Sequence, residues 1–541
     1  MNDRTELTQN SVAKGFMVMT IAMMSVKVLS VLYTPILRYI LGTEGYGIYY
    51  SSYTIFTYIY TIANAGIPVA IAKLVSELQA QGNYKDAIKT FKASRFMLII
   101  VGLVLSIFMF VGAAPLSASF NSIESTLSMR WLAPGIFFTS LMCAYKGYFQ
   151  GTGNMTPTAV ALVGEQTLNI IFSLLCAYLL VGSGKPFGAA GGTIGTVVGA
   201  LGASLYFIWI YNRNKDGLKY KKNESGVSRL SNTDIVKSIL KYAIPITIGS
   251  GLQSSGTLVD LKTVKARLLS TGLSQKNVDI QWGYLSLYNT LISIPMAIIG
   301  ALAISLLPAI SRVNTLNDKK KLRFSIKSSY RVTFMIAIPC AIGLGVLSMP
   351  IVRILGYDSE VSPLLIWGSW VLILYAISLV QTSILQGMGK VTIVTIFSVL
   401  GIIAKIFVNY MLVAVSGIGI LGAIFGNAVC YLIMVILFQY QINKSLGDKI
   451  SLIPCGFKPI IAGFGMGVIT ILSYKTINII FSFILNRYIL NVITVVITIA
   501  IAALVYLLLL ISIGGVKKAD LRALPNRFIK FIPVKIYHKL R

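Results

Sequence analysis

The chain has 541 residues, 56% of them hydrophobic and only 12% charged, with a formal net charge of +30. That balance excludes a string of soluble catalytic domains and defines a polytopic membrane protein. One histidine, His538, excludes a His-based metal site or triad, and five cysteines without CxxC spacing argue against a zinc site or disulfide framework.

Crossing the hydrocarbon takes about 20 apolar residues as helix. Such runs predict an all-α polytopic fold with about fourteen transmembrane helices, over 15–41, 47–72, 91–113, 126–149, 155–181, 188–211, 237–267, 280–306, 327–348, 363–387, 391–415, 418–440, 456–478 and 488–514. The first run is too long for a signal-peptide core, contains Lys27 and has no small-residue cleavage site behind it, so it reads as a retained span. Alternate breaks are rich in Lys and Arg: Lys85, Lys89 and Lys92, then Arg213 to Arg229, Arg312 to Arg323, Lys444 and Lys449, and the tail from Lys517. The others, such as "LGTEGYG" at 41–47 and "GYDSEVSP" at 356–363, are neutral or acidic. The positive-inside rule then predicts a multi-pass protein of the cell membrane with both termini cytoplasmic. The positive charge is mostly a topology signal and an attraction to membrane lipids, not a nucleic-acid surface.

"YFQGTG" at 148–153 and "ILQGMG" at 384–389 repeat one core: an offset of 236 pairs Gln150 with Gln386, Gly151 with Gly387 and Gly153 with Gly389. The same offset pairs Arg95 with Arg331 and Asn169 with Lys405. Six spans followed by six similar spans give two parallel repeats, with substrate expected between them around a central cavity, and two further C-terminal helices. The implied division is a lobe over 1–212, a basic cytoplasmic linker over 213–236, a lobe over 237–440, a helix pair over 441–514 and a basic tail over 515–541. "GMGK" at 387–390 is no phosphate loop, because Ile384 holds the place of the required upstream Gly. No ATP-driven step is expected, and no cofactor; the coupling candidates are Na⁺, H⁺ or the membrane potential.

Ionisable groups inside spans are costly and mark function. Lys27, Thr34 and Arg38 share one face of the first helix; Gln253, Asp260 and Arg267 recur every seven residues on the seventh; Glu165 and Asn169, and Lys405 and Asn409, are i, i+4 pairs. Cations outnumber acids, which suits an anionic substrate and disfavours a cationic drug. Against this, Arg38 and Arg267 stand near helix ends where they could snorkel, while Lys262 and Lys265, which fall off the Asp260 face, read as snorkelling or packing residues. Structural ion pairing is the alternative for Lys27, Glu165 and Lys405. Gly191, Gly195 and Gly199 make a close-packing stripe. "NAGIP" at 64–68 reads as a broken helix, making Asn64 and Pro68 hinge candidates together with Gln150, Gly151, Gly153, Gln386, Gly387 and Gly389. Trp131, Trp282, Trp367 and Trp370 are expected in the interfacial belts.

"KGYFQGTGNMTPTAVALVGEQ" at 146–166, with "SVKVLSVLYTPILRYILGTEGYGIY" at 25–49 and "IPMAIIGALAISLLPAISR" at 294–312, closely resembles the stage V sporulation protein B and polysaccharide-transporter group of the MOP exporter superfamily, which includes MurJ-type lipid II flippases. The resemblance implies two lobes that rock to turn a lipid-linked, diphosphate-bearing saccharide from the cytoplasmic to the outer leaflet, and a C-terminal helix pair bordering a lipid-tail groove. It carries cationic roles onto Lys27 and Arg38 and the family's Glu-Gln onto Glu165 and Gln166. Two departures stand out: the Arg that commonly follows Glu-Gln is Asn169 here, and "LYNTLISIP" at 287–295 lacks an eighth-helix Arg, for which Lys405 or Arg267 would compensate. The expected partners are an anionic lipid-linked saccharide and envelope-synthesis enzymes, and the expected state is a monomer. A multidrug-type exporter and a non-transporting scaffold of an envelope complex remain alternatives, and no acidic cluster supports a glycosyltransferase.

Overall fold

The computed structural model describes residues 2–219, 230–316, 318–481 and 487–515. The basic stretches 220–229 and 516–541, with His538, lie outside the described residues. Every regular element among those described is helical, as hydrocarbon demands of a single chain that must satisfy its own backbone. In chain order these are α1 (Asn2–Asn64), α2 (Gly66–Ala80), α3 (Tyr84–Val111), the short α4 (Ala113–Ser119), α5 (Thr126–Gly151), α6 (Thr156–Leu180), α7 (Lys185–Lys219), α8 (Asn232–Ser270), α9 (Gln275–Thr315), α10 (Lys319–Val346), the short α11 (Ser348–Ile354), α12 (Val361–Gly387), α13 (Val391–Leu412), α14 (Leu421–Leu446), α15 (Ile453–Phe481) and α16 (Arg487–Ser512).

Among the described residues thirteen helices are long and apolar enough to cross a membrane, and the first, Ile21–Ala80, runs for 60 residues. At 1.5 Å per residue that is about 90 Å, three times the hydrocarbon thickness. Gly42, at φ 70° and ψ 171°, interrupts the helical backbone, so this stretch holds two crossings and the total is about fourteen. The second of them breaks again at Ala65, between α1 and α2. Pro68 then falls in the first turn of α2, where its missing N–H has no helical partner to lose. Many helices overrun their apolar cores, α9 starting at Gln275 where hydropathy alone places it at 280.

By packing, the chain divides at Ser286/Leu287, inside α9. Packing groups α8 with the first unit, along α1, α2 and α3, whereas the repeat places it at the head of the second copy. The core of the first unit is aromatic: Phe91, Tyr145, Tyr148 and Tyr211 pack with ring centroids 4.6–5.6 Å apart, and Arg95 donates to the Tyr145 hydroxyl at 2.9 Å. In the second unit a polar chain ties α10, α12 and α14 to the loop before α15: Tyr330 and Gln381 both donate to Gln439 Oε1 at 3.0 Å, and Gln439 Nε2 donates to the Ile450 carbonyl at 2.8 Å.

The two Q-G-x-G turns are built alike. Gly153 and Gly389 take φ of 78° and 77°, and their N–H groups donate to the Gln150 and Gln386 carbonyls at 3.1 and 2.9 Å. The preceding glycine serves helix contact instead. A Cβ on Gly151 would stand 2.8 Å from the Ala72 carbonyl, and one on Gly387 2.8 Å from that of Leu307. One glycine bends the chain; the other lets α5 reach α2, and α12 reach α9.

Glycine stripes repeat in the same way. On α7, Gly191, Gly195 and Gly199 press on the α6 backbone at Cys176, at Asn169 and Ser173, and at Glu165. On α14, Gly422 and Gly426 press on α13 at Leu412 and Val413 and at Asn409, while Cys430 lies against Gly401. The contacted residues stand 236 apart in the two copies, as the sequence offset requires.

Candidate functional site

Gly42 and Gly199 place the charged face of the first unit. On α1, Lys27 is exposed, Thr34 is buried with its hydroxyl donating to the Ser30 carbonyl at 3.0 Å, and Arg38 is half-buried. Arg38 donates through Nε and Nη2 to Thr43 Oγ1 at 3.2 and 3.0 Å, tying its guanidinium across the Gly42 break. Beyond the break a tyrosine stripe descends α1 at helical spacing: Tyr46, Tyr49, Tyr53, Phe56 and Tyr60, successive ring centroids 5.8–6.3 Å apart. The Tyr60 hydroxyl lies 3.8 Å from Cys143 Sγ on α5.

Glu165, Gln166 and Asn169 sit half-buried on α6, and Ser173 donates to Asn169 Oδ1 at 2.9 Å. Around the Glu165 carboxylate, within electrostatic reach, stand Lys146 of α5 and the Tyr53 and Tyr60 hydroxyls of α1. Lys146, also half-buried, is absent from the residues read off the sequence as candidates. It stood two residues before the repeated motif, a cation five residues from the end of an apolar helix.

On α8 the seven-residue stripe is graded: Gln253 is exposed, Asp260 buried and Arg267 half-buried in the last turn. Of the two roles open to the lysines beside it, Lys265 takes packing. Lys265, 0% exposed, forms an ion pair with Asp279, 2% exposed, and donates to Ser122 Oγ at 2.8 Å. Gln275 Nε2 completes the group, reaching Asp279 Oδ2 at 3.2 Å and the Asn121 carbonyl at 2.9 Å. Lys262 donates to the Ser119 carbonyl. Because α8 ends at Ser270 and α9 begins at Gln275, the short turn sets Lys265 and Asp279 opposite one another. The same early start buries Trp282, 1% exposed and 6.1 Å from the Tyr50 ring, so it is not a belt residue, whereas Trp131, Trp367 and Trp370 are about half exposed.

The hinge candidates are held on both sides. Gly66 fits against α8, where a Cβ would stand 2.1 Å from the Ala243 carbonyl, and Gly147 of α5 fits against Pro68. Asn64, 6% exposed, has no hydrogen-bond partner for either amide atom among the described residues. In the second unit Lys405 and Asn409 are buried on α13, on the face pressed by Gly426 of α14. No group of three or more His, Cys, Asp or Glu able to hold a metal occurs among the described residues.

A bundle of membrane crossings with broken helices and charged stripes on interior faces defines a polytopic membrane transporter. Residues 12–314 match the profile of the polysaccharide biosynthesis protein family, and residues 280–411 that of the MatE family. Among curated proteins, the chain is 24% identical over 540 residues to Lipid II flippase MurJ of Bacillus subtilis (strain 168), covering 96% of this chain and 98% of that protein. It is 23% identical to Stage V sporulation protein B of the same organism, covering 96% and 98%. Among solved structures, it is similar to a lipid II flippase MurJ in an inward closed conformation, with TM-score 0.64, 16% identity and coverage of 91% and 98%. It is also similar to an inward-facing multidrug resistance MATE family transporter of the MOP superfamily, with TM-score 0.61, 18% identity and coverage of 79% and 99%. The chain belongs to the polysaccharide biosynthesis protein family, as a MurJ-like membrane flippase or transporter of the MOP superfamily.

Proposed function

We propose that this protein translocates a polyprenyl-diphosphate-linked saccharide, the peptidoglycan precursor lipid II or a related envelope precursor, from the cytoplasmic to the outer leaflet by alternating access. The observation that carries the reading is the pair of cationic side chains on packed helices of the first unit, Arg38 at the Gly42 break and Lys146 within electrostatic reach of Glu165. A sugar diphosphate cannot cross hydrocarbon unaided, while its lipid tail never needs to leave it. Fixed cations reached from the bilayer answer the first need and an open lateral path the second. Near full-length similarity to a lipid II flippase and to a sporulation protein supports this class of cargo. In this reading both termini are cytoplasmic, the two six-helix repeats are the moving bodies, and a Na⁺ or H⁺ gradient or the membrane potential drives net export.

A second reading, export of a small molecule, is favoured by the MatE match and the MATE neighbours. The deciding experiment reconstitutes the full chain in liposomes and follows exposure of fluorescent undecaprenyl-diphosphate-linked muropeptide, with an organic cation as competitor. Protein-dependent flipping untouched by the cation is the expected result. No flipping, together with saturable uptake of the cation, would transfer the function to the exporter reading.

A further inference from the structure

Helices α5 and α6 are consecutive, joined by the first Q-G-x-G turn, and each packs closely on α1 and α7, yet they make little contact with one another. The second crossing of α1 stands alongside them. Lys146 of α5, Glu165 of α6 and the Tyr53 and Tyr60 hydroxyls of α1 form a cluster here: Lys146 and both hydroxyls lie within electrostatic reach of Glu165, and the Tyr60 hydroxyl stands 3.8 Å from Cys143, one turn before Lys146 on α5. Gln166 and Asn169 follow on α6, and all six side chains are half-buried and not sealed in the core. At 1.5 Å per residue, Lys146 lies about 7.5 Å from the turn along α5 and Glu165 about 13.5 Å along α6. A charge at such depth is costly unless paired or used.

The internal repeat separates those two possibilities. At the offset that superposes the Q-G-x-G turns and the α6 and α13 residues met by the facing helix, Lys146 corresponds to Thr382 and Glu165 to Gly401. Both charges are missing from the second copy together. That copy folds with the same turn and with close glycine contacts at the corresponding rungs, the glycine at the Glu165 rung being Gly401 itself, so the helical framework does not require the pair. Two opposite charges that occur together, in one copy alone, serve something the framework does not need.

We infer that Lys146 receives the diphosphate group of the substrate, with Glu165 as its resident counter-ion that the arriving anion displaces. This rests on the reading that the cargo carries a diphosphate. The ammonium offers three donors and a compact charge suited to phosphate oxygens. Glu165 offsets that charge in the empty protein, and the more highly charged diphosphate outcompetes one carboxylate. The displaced carboxylate then has the Tyr53 and Tyr60 hydroxyls as donors. A diphosphate is thereby preferred to a monophosphate, since its second phosphoryl group adds charge and acceptor oxygens to the exchange with Glu165.

The test uses the full chain in detergent and measures binding of geranylgeranyl diphosphate, geranylgeranyl phosphate and geranylgeraniol to the parent, K146Q, K146R and E165Q, each checked for an unchanged melting profile. Hydrogen bonds to charged groups are worth enough to set the scale at about tenfold or more. K146Q is expected to lose about tenfold in affinity for the diphosphate and to erase its advantage over the monophosphate; K146R retains both, and E165Q tightens diphosphate binding severalfold. If the parent prefers the diphosphate and K146Q binds it equally well, the assignment of Lys146 is overturned while the substrate reading stands. If E165Q weakens binding as much as K146Q, the pair is a brace and the exchange is refuted. A parent that binds all three lipids alike overturns the substrate reading itself, and the assignment with it. Should K146Q fail to fold, tightening or weakening in E165Q still decides.

Discussion

Replacing Lys265 by Met leaves the Asp279 carboxylate, 2% exposed, with a single remaining side-chain donor, Gln275 Nε2 at 3.2 Å. Replacing Asp279 by Leu strands a fully buried ammonium on the Ser122 hydroxyl at 2.8 Å. Removing one partner of a buried pair costs about 3–5 kcal/mol, a factor of roughly two hundred to several thousand in the folding equilibrium. Removing both leaves no uncompensated charge. What remains lost are the hydrogen bonds of Gln275 and Ser122 to the pair, about 1 kcal/mol each. The double variant K265M/D279L should therefore be less damaged than either single one, with a coupling energy of several kcal/mol, on the order of the single-variant cost. Unfolding in mixed micelles, followed by tryptophan fluorescence, reads this locally, because Trp282 is buried three residues beyond Asp279 on the same helix. If the double variant is as damaged as the sum of the two singles, Lys265 and Asp279 act independently and the reasoning from burial is refuted.

The two Q-G-x-G turns give a matched set. Gly151→Ala and Gly387→Ala each bring a Cβ to 2.8 Å from a carbonyl and should destabilise by about 1–3 kcal/mol. Gly153→Ala and Gly389→Ala meet no neighbour but force φ near 78°, costing about 1 kcal/mol. Thermal unfolding in detergent should show each pair equal within error; damage at one turn alone would contradict their equivalence. Gly426→Ala, whose Cβ would stand 2.0 Å from Asn409 Oδ1, should displace the Asn409 side chain, and protease sensitivity unchanged from the parent would count against the α13–α14 packing described. Asp318 caps α10 by accepting from the Lys321 N–H at 3.0 Å, and that bond holds its carboxyl below the usual range. A lowered folded-state value means the cap contributes fully above the ordinary carboxylate pKa near 4 and is lost as pH falls through the depressed value. Hydrogen exchange at the Lys321 amide should accelerate in that acid range and should be fast at every pH in D318A; a pH-independent rate in the parent would rule the cap out.

The number of crossings, the all-helical class and the twofold repeat were legible in the sequence because each rests on local composition or on spacing along the chain. Hydrocarbon admits only helices for a chain of this pattern, and a 20-residue apolar run cannot be anything shorter than a span. The Q-G-x-G repeat likewise announced its turns, since a positive φ is a demand on one residue. What the sequence could not decide was which charged side chains meet. Lys265 read as a snorkelling or packing lysine off the functional face, and it is a four-residue turn that decides for packing by setting it against Asp279, whose own helix starts before its apolar core does. Trp282 followed the same displaced start inward. Lys146 stood in plain view just before the motif, but only the spread of α5 from α6 and the arrival of α1 bring it near Glu165, with Tyr53 and Tyr60 beside that carboxylate. Composition and period are properties of one helix, so the chain alone fixes them; pairing depends on where a second helix begins, how it turns and how closely glycine lets it approach, and those distances exist only in the folded protein.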